Sequence, residues 1–140
     1  MKKIWGLNRI IVLFISIGYF VLSFEVYLQH YDQLQDKQIM WTPILFGLIG
    51  GLIEIFIVIC FNKASYYLFF VLMSCSVCVG LLGLYLHNKW RLKIVKEYFV
   101  SNKSINFEIL TTYTPLLAPS SFIAIGVLGI LVACYFPWSD

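Results

Sequence analysis

Apolar residues run in long stretches along this chain, and the polar ones gather between them. A membrane-spanning helix needs about 20 mostly apolar residues at about 1.5 Å of rise each. Four stretches qualify: Ile10–His30, Pro43–Phe61, Tyr66–His87 and Pro115–Phe136. The last two contain no Asp, Glu, Lys or Arg, and the first two hold one acid each, Glu25 and Glu54. The pattern predicts an all-α integral membrane protein, a four-transmembrane-helix bundle in which residues 1–140 form a single transmembrane domain of two helical hairpins.

The breaks between the stretches carry helix signals. Thr42-Pro43 and Thr114-Pro115 each read as a Thr cap followed by Pro at the first helical position, where a missing N–H costs nothing. Asn62-Lys63 makes a short turn, and Pro137 closes the fourth span. Trp5, Trp41, Trp90 and Trp138 flank spans, where amphipathic rings favour the headgroup region. In the long loop Asn88–Thr114, the segment Trp90–Phe99 puts Lys93, Lys96 and Glu97 on one side at helical spacing. Trp90, Ile94, Val95, Tyr98 and Phe99 cover most of the rest. This predicts a short helix lying in the interface, and a solvated extension of the third span fits the same spacing. Lys2 and Lys3, the apolar Ile10–Leu22 and Val21-Leu22-Ser23 also match a signal peptide with a cleavage site, which would leave three spans. The apolar run continues to Leu28, however, and is long enough to cross.

Composition removes the soluble alternative. The 140 residues are 61% hydrophobic and 12% charged, against roughly half and a quarter in soluble domains. Mean hydropathy is +0.86. A water-soluble domain of this size has too much surface per volume to hide that much apolar area. The net charge of +3 suits an anionic membrane surface and gives no reason to invoke nucleic acid. Orientation pulls both ways. The termini share a side with Lys2, Lys3, Arg9 and Lys63, and the opposite side carries Lys37, Lys89, Arg91, Lys93, Lys96 and Lys103. The cluster ahead of the first span favours cytoplasmic termini in a bacterial-type inner membrane.

Glu54 is the candidate with the most physical content. It lies past the middle of span two, where charge is costly and faces the bundle or a wet cavity. At about 100° per residue, Gly47, Gly51, Glu54 and Val58 share a narrow arc, and Gly47-x-x-x-Gly51 is a close-approach pattern. Glu54 is thus either a protonatable or cation-binding site, or a carboxyl kept neutral by burial and hydrogen-bonded to a neighbouring Ser or Tyr. In span one, Gly18, Glu25, Gln29 and Asp32 form one stripe, and Ser16, Tyr19, Ser23, Tyr27 and His30 a roughly opposite one. Two polar stripes predict a central helix, although Gln29, His30 and Asp32 also fit its wet end. His30 and His87 close spans one and three at the same surface, and His87 shares a face with Ser76, Gly80 and Gly83. Two imidazoles there fit a haem or, with Glu25 or Asp32, a metal ion, without any HxxxH, HExxH or ExxH spacing.

Cys75-Ser-Val-Cys78 resembles the CxxC of membrane thiol oxidoreductases of the disulfide-bond-forming and vitamin K epoxide reductase types, which are also four-helix bundles. The resemblance implies a redox dithiol. Those families place the CxxC near a helix start and add a cysteine pair outside the membrane. Here the motif is mid-helix, and Cys60 and Cys134 lie at the ends of apolar runs, not in loops. In length and span count the chain is also similar to small multidrug transporters, which carry an essential Glu in the first helix; Glu25 is near the end of that helix, and the family's other motifs are absent.

No Walker motif, Ser-His-Asp set or dinucleotide fingerprint is present, and the sequence requires no cofactor. The leading expectation is a non-enzymatic subunit or accessory protein, in contact with the lipid bilayer and with other membrane subunits or its own copies. Its helix-packing candidates are Gly47, Gly51, Gly80, Gly83, Gly126 and Gly129. The second expectation is a small transporter or ion-coupled carrier using Glu54 and Glu25. The third is a haem- or metal-binding redox protein using His30 and His87.

Overall fold

The computed structural model describes residues 6–102 and 117–135. Four α-helices carry the fold: α1 Leu7–His30, α2 Trp41–Ile59, α3 Lys63–Asn102 and α4 Leu117–Tyr135. All four are long and apolar enough to cross a membrane, and the described residues contain no strand. Trp5, the Thr114-Pro115 start, Phe136, Pro137 and Trp138 lie outside the described residues, as do Lys2, Lys3 and Lys103.

Two starts differ from the sequence expectation. Span two opens at Trp41, directly after a 3-10 turn over Gln38–Met40, and its N-cap is Met40 with no side-chain cap. Thr42 and Pro43 therefore sit inside the first turn, where a helix tolerates a proline because those N–H groups have no intrahelical partner. Span three opens at Lys63, because Asn62 caps it: the Ser65 amide donates to Asn62 Oδ1 at 3.0 Å. The Ser65 hydroxyl donates to the Cys60 carbonyl and so holds the turn between α2 and α3.

The predicted interfacial helix is not a separate element. α3 runs unbroken for 40 residues, about 60 Å at the usual rise, or roughly twice the hydrocarbon thickness. His87-Asn88-Lys89-Trp90 contains no Gly or Pro, so nothing in it stops a helix. The apolar part ends near Lys89. Beyond it Lys93, Lys96, Glu97 and Val100 are exposed, and Lys93 reaches Glu97 at 4.0 Å, an i,i+4 pair worth little in water. The segment is thus the extension of the third span; the side chains of Trp90, Ile94, Val95, Tyr98 and Phe99 lie outside the described residues.

The helices pack as two antiparallel hairpins, α1 with α2 and α3 with α4, joined by slighter contacts of α1 with α4 and α2 with α3. Small residues and serines set both hairpins. In the first, the Ser16 hydroxyl donates to the Gly51 carbonyl at 2.9 Å, and Ser23 to the Ile44 carbonyl at 2.7 Å. In the second, Ser76 donates to the Phe122 carbonyl at 2.8 Å. Such interhelical bonds contribute on average about 0.6 kcal/mol each in a membrane protein. At the centre Tyr19, Phe46 and Phe122 stack with ring centroids 5.8 to 6.1 Å apart, joining α1, α2 and α4.

Lipid explains the outside of the bundle. Phe14 is 69% exposed, Phe24 64% and Ile59 71%, positions that in water would form a continuous apolar patch. Phe14, Ile17, Val21, Phe24 and Leu28 line one side of α1. Span one is therefore not central: a single stripe, Val12, Ile15, Ser16, Tyr19, Leu22, Ser23 and Val26, is buried, and its opposite face is open.

Candidate functional site

The ridge along α2 is buried as far as Glu54 and beyond it to Val58. Its glycines let the backbones close. A Cβ on Gly47 would lie 2.9 Å from the Tyr19 carbonyl oxygen of α1, and one on Gly51 would meet the Phe20 ring at 2.9 Å. One turn further on, this close packing encloses a carboxyl group. Glu54 has no exposed surface, and neither of its carboxyl oxygens has a hydrogen-bond partner among the described residues.

Sequence reasoning allowed a Ser or Tyr to satisfy this carboxyl, but the bundle spends its hydroxyls elsewhere. Ser16, Ser23 and Ser76 all donate to backbone carbonyls. Tyr19 is fully buried, and its hydroxyl also lacks a hydrogen-bond partner among the described residues. Its ring lies against Gly50, one turn before Glu54: a Cβ on Gly50 would meet it at 3.7 Å. Two buried polar groups without partners in one region are unusual, because each forfeits its hydration without recovering a bond. No ion pair reaches Glu54 among the described residues, and an ionised carboxylate there would be an uncompensated charge. The carboxyl is chemically equipped to hold a proton, and to bind or release it when water or a cation arrives.

Tyr19 was only one member of a polar stripe in the sequence. The signal that could have isolated it was a large ring flanked a turn away by Ser16 and Ser23, where the small residues bring α2 close and bury what lies between them.

Glu25 is not part of this site. It is half-buried near the far end of α1 and accepts a hydrogen bond from Gln29 Nε2 at 3.0 Å. The α1–α2 register makes the separation plain: Ser16 bonds to Gly51, whereas Ser23, just before Glu25, bonds to Ile44. Gln29 and Asp32 are exposed, as expected of a wet helix end.

His30 and His87 do come together. Their ring centroids are 5.9 Å apart with 61° between planes, and His30 Nδ1 lies 2.9 Å from the Val26 carbonyl oxygen. No group of three or more His, Cys, Asp or Glu side chains suited to a metal occurs among the described residues, so Glu25 and Asp32 do not complete a set with them.

Cys75 and Cys78 are free thiols exposed on the outside of α3, and Cys60 and Cys134 are also unbridged. A lipid-facing dithiol lacks the electropositive surroundings that activate a redox pair. Gly80, Gly83, Gly126 and Gly129 all lie in the α3–α4 contact. A Cβ on Gly80 would come within 2.7 Å of the Pro119 carbonyl oxygen, and one on Gly126 within 2.7 Å of the Met73 carbonyl oxygen. These glycines are used inside the chain, not on a free outer surface.

Comparison of the chain with protein-family models, with curated proteins and with solved structures finds no match.

Proposed function

We propose that the protein is a small membrane carrier that moves protons, with the carboxyl of Glu54 as its working group. One observation carries this reading: both oxygens of a fully buried glutamate within a membrane-spanning helix have no partner among the described residues. A proton is the ion that an isolated carboxyl binds without further ligands. Packing supplies a route to movement. Contacts within each hairpin are far more extensive than contacts between hairpins, and Tyr19, whose ring lies against Gly50 one turn before Glu54, sits on that seam through its ring contact with Phe122. Rocking of one hairpin against the other exposes Glu54 first to one side and then to the other, the usual logic of alternating access. Glu25 has no part in this mechanism.

Purified protein in liposomes, with a pH difference imposed across the membrane and a pH-sensitive dye inside, tests the proposal. The wild type is expected to relax the difference faster than Glu54→Gln, which falls to the rate of empty liposomes. Equal rates for wild type and Glu54→Gln contradict it.

A second reading, a non-enzymatic subunit or accessory protein of a larger membrane assembly, draws on α3. Its 40 residues outrun one crossing and carry an exposed charged extension beyond the apolar part. Co-purification of a stoichiometric membrane partner would favour it over the carrier.

We place the chain in a bacterial-type inner membrane with both termini cytoplasmic. The support is the basic cluster ahead of span one, where the Arg9 guanidinium lies 4.9 Å from the centre of the Phe61 ring in the turn next to Lys63. A green fluorescent protein fused after Asp140 is then expected to fluoresce, and alkaline phosphatase fused there to be inactive. The reverse pair of results inverts the topology.

A further inference from the structure

We propose that His30 and His87 together bind one divalent transition-metal ion at the membrane surface where α1 and the apolar part of α3 end. The two residues are far apart in sequence and come from different hairpins, yet their rings meet at 5.9 Å between centroids. Metal–imidazole bonds are about 2.0–2.1 Å, which puts the centroids of two imidazoles on one ion roughly 5 Å apart at a tetrahedral angle and about 6.3 Å apart in trans. The observed separation falls between these limits, as two imidazoles on one ion require. A haem, by contrast, needs a slot as wide as its macrocycle between the helices.

The His30 tautomer is already set for such a role. A backbone carbonyl only accepts, so the contact of His30 Nδ1 with the Val26 carbonyl at 2.9 Å places the proton on Nδ1 and leaves the Nε2 lone pair for a metal. Outer hydrogen bonds of this kind orient metal-binding imidazoles and raise their basicity.

Donor chemistry selects the ion. Imidazole nitrogens suit zinc, copper and nickel, and not magnesium or calcium, which take oxygen ligands. With no third His, Cys, Asp or Glu grouped with the pair among the described residues, water or an exogenous ligand fills the remaining positions, and the site is open. Bound metal ties α1 of one hairpin to α3 of the other, at a distance from Glu54, and so stabilises the seam by mass action.

X-ray absorption of the zinc-loaded, tag-free protein in detergent tests this directly. The expected shell contains two imidazole nitrogens at about 2.0 Å and no sulfur at about 2.3 Å. A chelator-competition titration should give one zinc per chain, weakened at least about tenfold by His30→Gln and likewise by His87→Gln. Sulfur in the zinc shell, the absence of stoichiometric zinc, or unchanged affinity in both variants overturns the proposal. The absorption measurement needs only the wild type, so a poorly folding variant does not protect the idea from refutation.

Discussion

Gly126→Leu is expected to remove most of the folded protein, with a loss of about 3 kcal/mol or more. The reason is the identity of the atoms a side chain would meet. Even a Cβ at Gly126 lies 2.7 Å from the Met73 carbonyl oxygen and 3.0 Å from the Val77 amide nitrogen. These are backbone atoms of α3, which cannot swing aside as a side chain can. The only relief is separation of α3 from α4. That in turn breaks the bond from Ser76 to the Phe122 carbonyl and opens the contacts around buried Phe69 and Met73. Gly50→Ala is the matched control. A Cβ there finds Leu72 and the Tyr19 ring at 3.7 Å, ordinary contact distance, and alanine is the better helix former by up to about 1 kcal/mol. Reversible unfolding in bicelles by added SDS should place Gly126→Leu far below the wild type and Gly50→Ala level with it or slightly above. Equal midpoints for the two variants would mean that α3 and α4 do not approach as described.

The spans were legible because lipid imposes one strong rule, an unbroken apolar run, on every crossing helix. Glu54 was legible for a related reason: the arc it shares with Gly47 and Gly51 is the one along which two backbones can approach, and that arc is buried. Less local features stayed hidden. The sequence around His87-Asn88-Lys89 loses hydrophobicity but keeps helix-compatible residues, so an interfacial helix and an extension of the third span both fit it, and α3 takes the extension. Thr42-Pro43 fits the first turn as well as the cap, and the 3-10 turn before it decided between them. Span one has two polar stripes, and only packing shows that one of them, Ser16, Tyr19 and Ser23, faces the interior. The decisive feature of the site is where each hydroxyl donates. Ser16, Ser23 and Ser76 each prefer a carbonyl on the facing helix, a pairing that depends on helix register and leaves Glu54 without them. His30 and His87 were placed at one surface by counting spans, but their approach to 5.9 Å rests on how the two hairpins dock.

The second large effect concerns Glu54 itself. In a fully buried setting with no counter-charge among the described residues, the carboxyl is expected to be carried as the neutral acid. Glutamine keeps the shape and remains neutral, so Glu54→Gln is expected to fold like the wild type. What it loses is the exchangeable proton. A carboxyl that is merely structural stays locked for as long as the bundle stays closed. One that loads and unloads protons meets water each time the hairpins part, and exchanges then. Tyr19→Phe refines the test, since it removes the nearby hydroxyl while keeping the ring packing with Phe46 and Phe122. The measurement that addresses the account most directly is infrared spectroscopy of the protein in lipid, with wild type and Glu54→Gln compared before and after transfer to D2O. The account predicts a protonated-acid C=O stretch in the wild type that is missing from Glu54→Gln, that changes frequency in Tyr19→Phe, and that shifts within minutes of transfer to D2O. A spectrum without that band, or a band that stays unshifted while the protein remains folded, contradicts a proton-carrying role for Glu54.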